Sequence, residues 1–143
     1  MGGATVLYGE HESRVDSARA DGGALWIALP DLSTATGWEL KPEGVCKDEI
    51  CVPVPDARRA ALIHDDSSAT WFNLSEFARW IEQPVAHDDD RAVWYFGPAG
   101  WEWKTRLTSQ LAPDFSLPDL AGQRHTLKEL LGKKVFLLFW ASW

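Results

Sequence analysis

Gly132-Lys133-Lys134-Val135-Phe136-Leu137-Leu138-Phe139-Trp140-Ala141-Ser142-Trp143, positions 132–143, says more about architecture than any other part of this chain. The run from Val135 to Trp140 is apolar without a break and too short to show a helical face. It also lacks the alternation of a half-exposed strand, so it reads as a central strand covered on both faces. Residues 135–143 reach about half the length needed to cross a bilayer, which argues against a membrane span. Upstream, Lys128 to Leu131 suits one helical turn stopped by Gly132, and Arg124-His125-Thr126-Leu127 suits a short strand. Ala121-Gly122-Gln123 reads as a turn, and Ala112-Pro113-Asp114-Phe115-Ser116-Leu117-Pro118-Asp119-Leu120 as an extended segment.

These residues resemble the start of the peroxiredoxin and thiol-disulfide reductase group of the thioredoxin superfamily. The resemblance is carried by Ala112-Pro113-Asp114-Phe115, by Leu117, Asp119, Gly122 and Leu127, by Gly132-Lys133-Lys134-Val135, and by Phe139-Trp140-Ala141-Ser142-Trp143. It covers residues 111–143 and implies a thioredoxin-like α/β segment. In that group a nucleophilic cysteine follows the tetrapeptide matched here by residues 140–143. It stands at a helix start, where unpaired N–H groups and the helix dipole lower a thiol pKa. The nucleophile is therefore expected after Trp143, with its resolving partner, helix and remaining strands. Two expectations stand side by side: a truncated piece of a longer chain, or a gene whose next codon is an in-frame UGA read as selenocysteine. This chain by itself is expected to be inactive in peroxide or disulfide reduction and to hold no catalytic residue of that reaction.

The preceding residues have a different texture. Residues 3–8 suit a first strand, Glu10 to Gly23 a turn, loop or short helix, and Ala24-Leu25-Trp26-Ile27-Ala28-Leu29 a buried strand closed by Pro30. Asp31 to Gly37 reads as a short helical turn with Asp31 as cap and Gly37 as end. Ala60-Ala61-Leu62-Ile63-His64 suits a short strand. A helix capped by Asn73 or Ser75 carries Leu74, Phe77, Ala78, Trp80 and Ile81, and Pro84 ends it. Val85-Ala86-His87 and Ala92-Val93-Trp94-Tyr95-Phe96 read as strands joined at Asp88-Asp89-Asp90, and Ala99 to Gln110 as a linker or docking arm. Residues 1–110 resemble the amino-terminal domain that precedes redoxin domains in some bacterial proteins, where a segment like Thr36-Gly37-Trp38-Glu39-Leu40-Lys41-Pro42-Glu43-Gly44 comes before a paired-cysteine hairpin.

Cys46 and Cys51 are the two cysteines of the chain. The polar Lys47-Asp48-Glu49 between them marks a hairpin turn, and four intervening residues let the two face each other across its arms. They are the redox candidates: a dithiol that exchanges electrons, with Lys47 favouring thiolate and Asp48 and Glu49 opposing it. A cross-strand staple, or two buried reduced thiols, fits the same spacing. Zinc asks for four ligands and meets one Cys pair with scattered histidines, so no metal is expected. His64 with Asp65-Asp66 and His87 with Asp88-Asp89-Asp90 read more simply as solvated acidic turns, and neither spacing is a calcium loop. No phosphate loop, G-x-G-x-x-G or G-x-S-x-G is present, and no cofactor is expected.

The 143 residues are 45% apolar and 24% charged, the composition of a folded chain. The net charge of −7 is concentrated early: the first 110 residues hold ten basic against eighteen acidic groups. Such a surface repels phosphate backbones, which excludes nucleic acid. Nine tryptophans suit core and interface packing. With no signal-like leader and no span, a cytoplasmic, soluble protein is expected. The reading is an α+β amino-terminal domain over 1–105, a small and mostly antiparallel sheet, followed over 106–143 by a linker and an incomplete thioredoxin-like segment. The expected parent is an antioxidant-type thiol or selenol oxidoreductase served by a thiol electron donor, either thioredoxin-like or of low molecular weight. The alternative is a non-catalytic module that presents a partner or small ligand to the redoxin domain through its Trp-rich surface. Residues 135–143 are expected to dock on the first domain or to mediate self-association.

Overall fold

A computed structural model describes residues 2–109 and 111–141. It mixes helices with sheets, an α+β fold, and divides into two compact units, Met1–Lys104 and Thr105–Trp143.

In the first unit, β1 (Gly2–Tyr8), β2 (His11–Asp21), β3 (Ala24–Ala28), β7 (Ile63–Asp65), β8 (Thr70–Asn73), β9 (Val85–Asp88) and β10 (Val93–Phe96) form one sheet in the order β7-β8-β3-β2-β1-β10-β9. β1 and β10 run parallel, and the other neighbours are antiparallel. Val6, Leu25, Ile27, Phe72 and Phe96 are buried from these strands. Helices α1 (Leu29–Thr36) and α3 (Leu74–Trp80) pack on the sheet and add Leu32, Ala35, Phe77 and Ala78 to the same core. Ile27 pairs with Phe72. Trp71, one residue along, points to the opposite face as strand alternation requires, and the Arg19 guanidinium lies 3.7 Å above its ring.

Three local signals act as expected. Asn73 caps α3 by accepting from the Glu76 N–H at 3.0 Å. Gly37 ends α1 in the left-handed region, φ 78°, with its N–H on Ser33 O at 2.8 Å. Cys46 lies directly opposite Cys51 in a separate three-stranded sheet of β4 (Glu39–Lys41), β5 (Gly44–Lys47) and β6 (Ile50–Val52).

Other expectations are corrected. Within residues 10–23, His11–Asp21 form the long strand β2 rather than a loop or helix. The pairing shifts between Gly2 and Ala4, so buried Val15 and Ala18 stand three residues apart and the two-residue period is hidden. Asp31 lies in the first turn of α1 instead of capping it, because the helix already starts at Leu29 with Pro30 in a position that needs no N–H donor. Residues 56–62 are helix α2 (Asp56–Leu62), followed by β7. Alanines and arginines favour helix there, and Leu62 alone is buried, so no apolar face announces it. The anticipated linker contains helix α4 (Gly100–Ser109).

The second unit contains the hairpin β11 (Ser116–Pro118) and β12 (Arg124–Thr126), then a 3-10 turn, Leu127–Leu130. Asp119 closes the hairpin by accepting from Ala121 N, Gln123 N and His125 Nε2 at 2.9 to 3.1 Å. Asp114 accepts from Lys128 N at 3.1 Å. Residues 134–141 form no strand, which corrects the expected central strand. Phe136, Phe139 and Trp140 are 88%, 82% and 80% exposed, and among the described residues no strand edge pairs with theirs. Ser142 and Trp143 lie outside the described residues.

Candidate functional site

The β5–β6 hairpin is shaped by two backbone requirements. Asp48, in the turn, has φ 52°, a left-handed conformation that Asp tolerates. Gly44, at the start of β5, has φ 143°, and a Cβ there would come within 2.2 Å of Val52 O, so only glycine lets β6 approach. Above them Cys46 and Cys51 form a disulfide with Cα atoms 4.0 Å apart. The two ends differ in environment: Cys46 is 2% exposed, whereas Cys51 is exposed.

Lys47 does not attend the sulfurs, which corrects the role foreseen for it. Alternation turns Lys47 and its partner Ile50 to the opposite face of the hairpin. There the Lys47 Nζ donates to Thr36 O, at the C-terminal end of α1, at 2.9 Å and stands 5.0 Å from the centre of the Tyr8 ring. The arrangement answers the partial negative charge of a helix end and the negative face of an aromatic ring. The lysine stem lies over Gly37, where a Cβ would meet Cε at 3.2 Å and Nζ at 3.4 Å.

Tyr8 anchors the surroundings. Its hydroxyl accepts from Trp38 Nε1 at 2.6 Å and donates to Gln83 Oε1 at 3.1 Å, while Gln83 Nε2 donates to Gly97 O. Burial, with Glu102 adding to it, pushes the Tyr8 pKa up, so the phenol stays neutral across the physiological range. Trp38 meets Phe77 and Trp101 edge-on, at 5.1 and 6.4 Å. Between the hairpin and this cluster lies a cleft of about 170 Å³ walled by Tyr8, Trp38, Lys47, Ile50, Trp101 and Glu102. Its residues come from four separated parts of the first unit, and nothing local in the sequence marks Tyr8, Glu102 or Gln83 as belonging together.

The histidine and aspartate clusters have structural partners. Asp66 accepts from Ser68 N, Ser68 Oγ, Ala69 N and Trp71 Nε1 and pairs with Arg19 at 2.7 Å, which holds its pKa well below the ordinary value. His64 approaches Trp26 edge-on. His87 stacks on Trp94 at 4.4 Å with its Nδ1 2.9 Å from Asp89 Oδ1, and Asp88 binds Arg91. His11 lies beside Ser13 Oγ and Thr34 O. Among the described residues no three His, Cys, Asp or Glu side chains converge as metal ligands would.

No family model matches the chain, and no solved structure does. Short similarities to curated proteins exist. Thioredoxin-like protein YneN of Bacillus subtilis (strain 168) is 56% identical over 34 residues, 24% of this chain and 20% of that protein. Thiol-disulfide oxidoreductase ResA of Geobacillus thermodenitrificans (strain NG80-2) and of Geobacillus kaustophilus (strain HTA426) is in each case 56% identical over 32 residues, 22% of this chain and 18% of the relative. The chain thus spans about a fifth of the length of the curated relatives it matches. Over that stretch it is similar to a thioredoxin-like protein and to thiol-disulfide oxidoreductases.

Proposed function

We propose that this chain is part of a thiol- or selenol-dependent oxidoreductase and that Cys46 and Cys51 are its exchangeable pair in the first unit. The observation that carries this reading is the asymmetry of the bridge, buried at Cys46 and exposed at Cys51. A donor thiolate attacks the Cys51 sulfur, the Cys46–Cys51 bond breaks, and Cys46 leaves as thiolate and takes a proton. A second donor thiolate then attacks the donor sulfur of the mixed disulfide and releases Cys51 as a thiol. Two electrons and two protons enter the protein and one donor disulfide leaves. The donor is a thioredoxin-like protein or a low-molecular-weight thiol, and the setting is the cytoplasm, where such bridges turn over rather than persist.

Residues 106–143 belong, in this reading, to the opening of a redoxin domain whose cysteine or selenocysteine stands beyond Trp143 and reduces a peroxide or disulfide. The resemblance of residues 111–143 and the short similarities support it. Transcript sequence past codon 143 decides between cysteine, UGA and neither.

The test of the pair is trapping with glutathione disulfide. The Cys46→Ser variant is expected to accumulate a stable mixed disulfide through Cys51. The Cys51→Ser variant should react far more slowly, and equal trapping at both positions ends the reading. A second reading, a small-ligand module, is favoured by the aromatic cleft on the other face of the same hairpin.

A further inference from the structure

We propose that the place taken by the Lys47 ammonium, between the Tyr8 ring and the last carbonyl of α1, is a binding site for a primary alkylammonium group, that Lys47 is its built-in occupant, and that the Cys46–Cys51 bridge keeps Lys47 in place. The structure already holds a cation there: the Lys47 ammonium donates to the last carbonyl of α1 at 2.9 Å and lies 5.0 Å from the Tyr8 ring centre. These contacts are supplied by the main sheet and α1, and Lys47 reaches them from a separate three-stranded sheet. Cation site and cation therefore belong to different elements. The bare Gly37 leaves room for the methylene stem, since a Cβ there would stand 3.2 Å from Cε, closer than ordinary contact.

The remaining walls suit the same chemistry. Trp38 and Trp101 add apolar and π surface, and the Glu102 carboxylate on the wall of the cleft complements a positive charge. Lys47 itself lines the cleft of about 170 Å³, which lies next to the place its ammonium takes. Tethering gives Lys47 a high effective concentration, so a free amine competes poorly while the hairpin is clamped. Lys47 pairs with Ile50 one step from the Cys46–Cys51 rung, between the bridge and the turn. Opening the bridge removes the covalent hold on that rung and lets Lys47 withdraw. This opening step rests on the redox reading above: a dithiol donates two electrons and two protons to the bridge and leaves as its cyclic disulfide.

The experiment is an NMR titration of the full chain with butylammonium chloride, which copies the lysine side chain, following the Trp38 indole N–H. Butanol, butyrate and matched sodium chloride serve as controls. Oxidised Lys47→Ala is expected to show saturable shifts in the millimolar range, at least tenfold weaker with butanol or butyrate. Oxidised wild type and Lys47→Met, whose neutral stem still fills that room, show none. Dithiothreitol-reduced wild type, with two free thiols confirmed by counting, responds as Lys47→Ala does. A folded Lys47→Ala protein that ignores butylammonium, or answers butanol equally, overturns the site. Fully reduced wild type that stays closed overturns the gate and with it the proposal. The Lys47→Ala arm contains no redox step, so a bridge that resists dithiothreitol counts against the redox reading while that arm still decides the ammonium site.

Discussion

Tyr8 illustrates how much one oxygen holds together in this fold. Its hydroxyl is the partner of the indole N–H of buried Trp38 and of the amide oxygen of buried Gln83. Tyr8→Phe keeps the ring and orphans both groups, so unfolding in urea should show a loss of about 1 to 3 kcal/mol. Asn73→Ala removes the cap of α3 and should cost about 1 kcal/mol, with Asn73→Ser restoring most of it. The two sites were unequally legible. The Asn73 cap spans three residues and can be read from a window of sequence, whereas the partners of Tyr8 lie 30 and 75 positions away. Only the assembled sheet brings them together, and the same is true of the whole cleft. Lys47 is hard to place from sequence for a related reason: it adjoins Cys46 in the chain, yet strand alternation sends it to the other face.

The disulfide hairpin belongs to a separate three-stranded sheet and adds Val45 to the hydrophobic core. Its cysteines are five positions apart, so closing so short a loop restrains the unfolded chain by about 2 kcal/mol. The double Cys46→Ser, Cys51→Ser variant should lose roughly that amount, and amide exchange should rise in β4–β6 while the seven-stranded sheet remains protected. Gly44→Ala is the contrasting change. The added methyl meets the Val52 carbonyl, so β6 must leave β5 whatever the state of the sulfurs, and protection there should vanish even in the oxidised protein. Sequence spacing was enough to place this hairpin because both strands and the turn are contiguous. It was not enough for β2, whose identity comes from neighbours on both sides and whose apolar rhythm is broken by the irregular pairing at Gly2 and Ala4.

Carboxylates tie the whole molecule to pH. Asp66 and Asp88 in the first unit and Asp119 in the second are held below the ordinary value near 3.8, by hydrogen bonds from Ser68, Arg91 and His125 respectively. A carboxyl that ionises more readily folded than unfolded contributes stability that is complete above the unfolded pKa and disappears as the pH falls through the folded one. The urea midpoint should therefore be flat at neutral pH and decline once the pH drops below about 4. Asp66→Asn should start lower and decline less steeply, and an unchanged slope would contradict the assignment.

Charge also decides how the exposed apolar segment behaves. Phe136, Phe139 and Trp140 present nearly complete side chains to solvent, which favours association between chains, while a net charge of −7 opposes it. The two influences separate experimentally because repulsion vanishes near the isoelectric point of about 5.0 and the apolar surface does not change. Sedimentation at micromolar concentration should find the chain smallest at pH 8 and low salt, larger when salt screens its charge, and largest near pH 5. Phe136→Asp with Phe139→Asp should keep it monomeric at every pH by removing the attraction and adding charge. If the substituted chain associates as readily as the original, association resides elsewhere and residues 135–140 have no part in it.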